Sequence, residues 1–240
     1  MSLGVLPTQR RMKLLALDTT AEGCSVALNL DGQIIEQFEN APRMHTRRIM
    51  PMIRELLRQS ALKPADLDAL AFGRGPGSFT GLRIAAGIVQ GLAFGLGKPV
   101  LPVSSLAATA LVARERNSGP VAVAFDARMA EVYWGTFRVE AGRVHPLEEE
   151  RVCAPGRLSL PAISGEERWL GAGAGWLLCD EMPKSVSDIV TERLPDTIPT
   201  AGAIAWLAEQ AWHEGAAIDA AQAQPVYLRD EVAWQKMPGR

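Results

Sequence analysis

The sequence predicts an α/β protein built as two related lobes, and three observations predict it. Short strands separated by tight turns open the chain. Helices and strands alternate after residue 44, and the opening pattern begins again after residue 120.

Lys13 to Leu17 is an apolar strand ending in Asp18-Thr19-Thr20. After the Glu22-Gly23 turn, Cys24 to Leu30 forms a second strand, and Asp31-Gly32 gives a two-residue hairpin turn into Gln33 to Phe38. These three strands are antiparallel. The next segment, Met44 to Ser60, places Ile49, Ile53, Leu56, Leu57 and Ser60 on one helical face opposite Arg47, Arg54 and Arg58. Pro51 predicts a kink near its first turns. Asp68 to Phe72 and Pro99 to Val103 are further strands, added in parallel by right-handed crossovers. Ser104 is placed to cap a helix running towards Gly119-Pro120.

Between those two parallel strands lies Gly73 to Gly97, GRGPGSFTGLRIAAGIVQGLAFGLG. A strand, a glycine turn and a helix start bring backbone N–H groups and the positive end of the helix dipole together, which suits an anion. A tight turn feeding a buried helix reads equally well. The standard phosphate motifs fail residue by residue: Lys98 is followed by Pro99, Thr80 stands where a dinucleotide fingerprint needs glycine, and Ser78 is not centred between two glycines. Gly77 and Gly81, then Gly87, Gly91 and Gly95, recur every four residues, leaving one face bare in two successive segments. Glycine costs a helix about 1 kcal/mol relative to alanine, so close approach of another backbone is expected there. The apolar run Ile84 to Gly97 contains Gln90 and falls short of the ~20 residues a membrane span requires.

Beyond residue 120, VAFDARMAEVYWGT lies over LALDTTAEGCSVAL without a gap, aligning Asp126 with Asp18 between strand and hairpin. A duplicated unit follows from this. Residues 143 to 198 carry no readable period, and their one phosphate-like turn, Leu170 to Gly175, reads as structural. Pro199-Thr200 starts a last helix with Ile204, Leu207, Ala208 and Ala211 on one face and Gly215 beyond its end. The tail Gln224 to Arg229 is apolar enough to dock on the body.

Lys and Arg number 25 against 27 Asp and Glu, a formal net charge of −2, so the whole-chain field does not draw in nucleic acid. Any RNA contact is local or supplied by a partner. Cys24, Cys153 and Cys179 lie far apart without C-x-x-C spacing, which indicates neither a disulfide framework nor a zinc site. The start offers twin arginines before an apolar run, but Asp18 breaks that run too early for a signal segment, so a cytoplasmic protein is expected. Met12 offers an alternative start, with residues 1–11 a disordered extension or an expression remnant.

The opening LLALDTT, His45-Thr46, Gly75 to Ile84, Pro102-Val103-Ser104-Ser105-Leu106 and Pro225-Val226-Tyr227-Leu228-Arg229 carry a resemblance over Met12 to about Ala233. The chain resembles the bacterial TsaB (YeaZ) proteins. That resemblance implies two ribonuclease H-like lobes of the actin, Hsp70 and sugar-kinase (ASKHA) type: 12–103, a smaller lobe 104–218, and a tail 219–240. It implies a non-catalytic subunit that forms a heterodimer with the catalytic TsaD paralogue, with the ATPase TsaE in a wider assembly. That assembly transfers a threonylcarbamoyl group to adenosine 37 of tRNAs reading codons that start with A. The isolated chain is expected to pair with a second copy, to meet tRNA indirectly, and to use no membrane and no cofactor.

No metal is implied either. The paralogue's HxxxH pair, aligned on Pro102-Val103, falls on Ser105 and Thr109, and His45, His145 and His213 have no partner four residues away. Asp18, Thr19, Thr20, Gly75, Gly77 and Ser78 would be a vestigial phosphate loop, since Asp18 lacks the glycine that lets such a hairpin reach a phosphate. Structural roles are favoured for Asp18 and Asp126. Arg74 and Arg83 suit an anion, an interface carboxylate or exposed ion pairs. The expected partner interface is His45, Ile49, Ile53 and Leu57 with Gly81, Ile84, Ala85 and Ile88, helped by the adaptable Met44, Met50 and Met52. The alternative is an ASKHA-fold small-molecule kinase or metallopeptidase-like enzyme with Asp126 as base.

Overall fold

A computed structural model describes residues 12–115, 118–163 and 168–229. The expected extension 1–11 and the end of the tail, 230–240, lie outside the described residues. Five strands, β1 (Lys13–Asp18), β2 (Gly23–Leu30), β3 (Gln33–Asn40), β4 (Ala69–Gly75) and β5 (Val100–Ser104), form one sheet in the order β3-β2-β1-β4-β5. β1, β2 and β3 pair antiparallel, and β4 and β5 run parallel to β1. Asp31 and Gly32 both take positive φ, 56° and 85°, the backbone that a two-residue hairpin matched to strand twist requires.

The second sheet repeats this plan. It is built of β6 (Gly119–Arg128), β7 (Glu131–Glu140), β8 (Arg143–Pro146), β9 (Arg151–Cys153), β10 (Leu170–Ala172) and β11 (Glu192–Leu194). Its order, β11-β10-β6-β7-β8, is that of the first sheet read from the other edge, with β9 also pairing β7. β10 and β11 run parallel to β6 as β4 and β5 run parallel to β1. The duplication visible in the sequence is therefore a duplication of topology, and the fold is the two-lobed ASKHA type.

Helices complete a layered molecule. On the outer face of the first sheet, α1 (His45–Gln59) and α2 (Phe79–Leu96) bury Ile49, Leu56, Ala85 and Val89 against Leu15, Leu17, Leu70 and Phe72. Between the sheets lie α3 (Ser105–Arg114) and α5 (Ala201–His213), joining Leu14, Leu101, Leu106, Val123, Phe137 and Ile204 in one core. α3 rests mainly on β6 and β7, whereas α5 rests on β1 and β2. The amides opening α5 are held by the first sheet, Ala201 donating to Ser25 Oγ at 2.8 Å and Gly202 to the Glu36 carboxylate at 2.8 Å. α5, although it follows the strands of the second sheet in the chain, thus packs on strands of the first.

The outer face of the second sheet is covered by the stretch that had no sequence period. Residues 155–163 and 168–190, with the short α4 (Lys184–Ser187), bury Trp169 and Trp176 against Trp134, whose ring centre lies 5.8 Å from that of Trp176. Gly175 is needed there, since a Cβ would lie 2.7 Å from that of Ala124.

α3 ends sooner than expected. It closes at Glu115, φ 44°, because Gly119 and Pro120 already belong to β6 and Arg114 turns back to the Pro120 carbonyl at 2.8 Å. α2 is capped by Ser78 Oγ, which accepts from Gly81 N, and ends at Gly97 in the left-handed region. Its 18 residues are long and apolar enough to cross a membrane by composition. One face, however, including Leu82, Ala86 and Ala93, is buried in the protein.

Candidate functional site

Two elements, the β1–β2 hairpin and the β4–α2 turn, meet directly, and the chain's tail ties the β4–α2 turn to the β6–β7 hairpin. The first two are locked together. Thr19 Oγ1 donates to the Gly81 carbonyl at 2.7 Å, and Ser78 N donates to the Thr20 carbonyl at 2.8 Å. A Cβ on Gly81 would lie 1.8 Å from the Thr19 carbonyl oxygen, and one on Gly77 would lie 2.6 Å from that of Thr20. The first pair of the glycine series is therefore explained by backbone approaching backbone. The turn's Ser78 and Gly81 amides, which an anion would need, are already engaged by Thr20 and Ser78.

Asp18 lies beneath this contact, 1% exposed. Its carboxylate accepts from Thr20 N at 3.1 Å and from Thr20 Oγ1 at 3.0 Å, and a Cβ on Gly73 would meet Oδ2 at 2.1 Å. Burial pushes its pKa up to about 7 despite the Thr20 hydrogen bonds, which favour the charged form. A carboxylate so enclosed has no line to a phosphate-bound metal.

Asp126 occupies the matching place in the second hairpin but faces solvent. It accepts from Arg128 N at 2.7 Å, the same two-residue link that Asp18 makes, and pairs with the Arg128 guanidinium at 3.1 Å. Arg128, Met129 and Ala130 follow with φ of 64°, 55° and 56°, three successive left-handed residues without a glycine.

The tail bridges the two lobes. Val226 N donates to the Arg74 carbonyl at 2.8 Å on one side. On the other, Arg229 pairs with Glu131 and reaches the Ala127 carbonyl at 3.3 Å. Between them Tyr227 packs at 5.9 Å from Phe79, and Arg83 lies 3.6 Å over the Phe79 ring while donating to the Tyr227 hydroxyl at 3.2 Å. Arg83 thus holds the tail by stacking and by its hydrogen bond to Tyr227. Beneath this strap a cavity of about 650 Å³ is lined by Arg74, Ser104, Glu148, Glu149, Glu150 and Val226, among others. Ser104 donates to Glu150, whose pKa is raised by burial and lowered by that hydrogen bond and by Arg74.

Ser105 and Thr109 are both fully buried, with Thr109 Oγ1 donating to the Ser105 carbonyl at 2.9 Å. Among the described residues no three His, Cys, Asp or Glu side chains cluster as metal ligands do.

The expected partner surface needs correction. Ile49, Ile53 and Leu57 of α1, and Gly81 and Ala85 of α2, are buried inside the chain, as is Met52, which touches Cys24. The apolar face of α1 packs on its own sheet. Ile84 and Ile88 are half-buried, as is His45 at the start of α1. What α2 turns outward is the second half of the glycine series: Gly87, Gly91 and Gly95 are exposed with nothing within 4 Å of an added Cβ, and Phe94 beside them is 80% exposed. The four-residue glycine spacing carried that signal. Periodicity alone could not separate its two halves.

Residues 34–237 match the family of TsaD, tRNA N6-adenosine threonylcarbamoyltransferase. The tRNA threonylcarbamoyladenosine biosynthesis protein TsaB of Escherichia coli (strain K12) is 43% identical over 233 residues, 95% of this chain and 100% of that protein. Its counterpart in Haemophilus influenzae is 41% identical over 243 residues, covering 96% and 99%. The solved structure of YeaZ from Pseudomonas aeruginosa matches with a TM-score of 0.84 and 44% identity, covering 90% of this chain and all of that one.

Proposed function

Because the chain belongs to the TsaB (YeaZ) family and, through residues 34–237, to the wider TsaD family, we propose that it works in threonylcarbamoyladenosine formation on tRNA as a non-catalytic subunit. Its partner is the catalytic TsaD subunit, joined as a heterodimer in the cytoplasm. The TsaE ATPase belongs to the wider assembly.

The observation that carries this reading is the outward face of α2. Three glycines in open space, flanked by Ile84, Ile88 and Phe94, form an apolar surface with a backbone accessible to close approach. Glycines at this spacing cost the helix stability unless another chain packs closely on them. The vestigial reading of Asp18, Thr19, Thr20, Gly75, Gly77 and Ser78 is supported by the engaged turn amides and the enclosed Asp18 carboxylate.

Co-purification tests the docking face. Phe94→Glu and Ile88→Glu are expected to abolish recovery with the catalytic subunit while the isolated chain keeps its fold. Retained recovery by both variants defeats this placement. For the enzyme alternative, calorimetric titration with Mg-ATP is expected to give no heat of binding; saturable binding with turnover would favour a kinase.

A further inference from the structure

α1 presents a second face whose chemistry is unlike that of α2. Opposite its buried residues, Arg47, Arg54 and Arg58 fall on one line of the helix with Pro51 between them, and Arg43 is exposed in the turn that leads into it. The line from Arg47 to Arg58 runs roughly 16 Å along the axis. Arg58 is answered by Glu55 and Arg48, further round the helix, by Glu39. Arg43, Arg47 and Arg54 are exposed and have no acidic partner among the described residues.

No carboxylate among the described residues pairs with these three. Like charges one and two turns apart repel along a helix. The start of α1 adds to it, because Met44 supplies no side-chain cap and the first turn holds no acidic residue, leaving the positive end of the dipole uncompensated. This concentration sits on a chain whose net charge is −2, so it is local rather than a consequence of overall basicity. Guanidinium forks at the entry and along one face of a helix suit a strand of successive monoanions, each able to accept two parallel N–H bonds.

We infer that Arg43, Arg47 and Arg54 form a contact for the phosphate backbone of the tRNA, so that this chain holds the RNA directly. This rests on the proposed role in tRNA modification and goes beyond it, since that role alone needs no RNA contact from this subunit. Contacts to phosphate position the RNA without reading its sequence.

The test uses the complex reconstituted with the catalytic subunit and a fluorescently labelled tRNA, titrated by anisotropy over a range of salt concentrations. The Arg43→Gln/Arg47→Gln/Arg54→Gln variant is expected to bind at least about tenfold more weakly near physiological salt and to lower the slope of log affinity against log salt by about 2 to 3. The corresponding triple lysine variant restores the slope, because lysine keeps the charge. Melting temperature and elution with the catalytic subunit stay unchanged. Unaltered affinity and slope with assembly intact would overturn the assignment. Loss of assembly in the glutamine variant would also overturn it, by assigning the stripe to an acidic face of the protein partner. If the unsubstituted chain forms no complex, the proposed function fails separately, and the same titration on the isolated chain decides the RNA contact.

Discussion

The two strand-Asp-hairpin units share topology, sequence register and the link from aspartate to the amide two residues on, yet their aspartates have opposite surroundings. In the first, α2 presses two glycines onto the hairpin backbone and Asp18 is enclosed. In the second, the hairpin stands free of any such helix, Asp126 is in solvent, and the tail's Arg229 is fastened alongside. A duplicated backbone therefore sets where a carboxylate begins. What packs over it sets its chemistry.

The largest effect that sharpens this contrast concerns charge. Asp18 has a folded-state pKa raised from 3.8 to about 7, so its contribution to stability is fully present below about pH 4 and is lost as pH rises to about 7. The loss amounts to roughly 4 kcal/mol. Asp18→Asn is expected to flatten this decline and to be the more stable protein at pH 8, measured by urea unfolding across the range. Asp126→Asn is expected to change stability by less than about 0.5 kcal/mol at any of these pH values. A wild-type profile flat between pH 4 and 7 would break the comparison.

Next in size is the clamp on the first hairpin. Gly81→Ala places a methyl group 1.8 Å from the Thr19 carbonyl oxygen. It should cost about 3 kcal/mol and lower Tm by roughly 6 to 12 °C. Gly87→Ala, on the same helix with open space around it, should instead raise stability by about 0.5 to 1 kcal/mol when the chain is alone. Equal responses of the two glycines in thermal melts would show that the clamp is absent. The smallest effect belongs to the second hairpin, where Ala130→Gly relieves one left-handed residue and should stabilise by about 1 kcal/mol. No residue of the first hairpin has positive φ, so it offers no matching gain.

Much of the fold was legible because its signals are local. The Asp31-Gly32 turn, the one-sided apolar pattern of α1 and the Ser104 cap each lie within a few residues of the structure they specify. Residues 143 to 198 were illegible because β9, β10 and β11 have three residues each and exist through the strands they pair with. The site was read less well. Ile49, Ile53 and Leu57 have the pattern of any buried face, and that pattern is the same whether the cover is the chain's own sheet or a partner.

By itself, then, the sequence determined the kind and order of elements outside residues 143 to 198, the repetition of the first unit in the second, and the family. Hydrophobic period, turn residues and caps act over short distances, and a repeated motif remains visible wherever it folds. Tertiary structure alone decided that Gly77 and Gly81 meet backbone while Gly87, Gly91 and Gly95 meet none, and that Asp18 is buried while Asp126 is not. These outcomes depend on which surfaces the layers bring together, a property of no single stretch of chain.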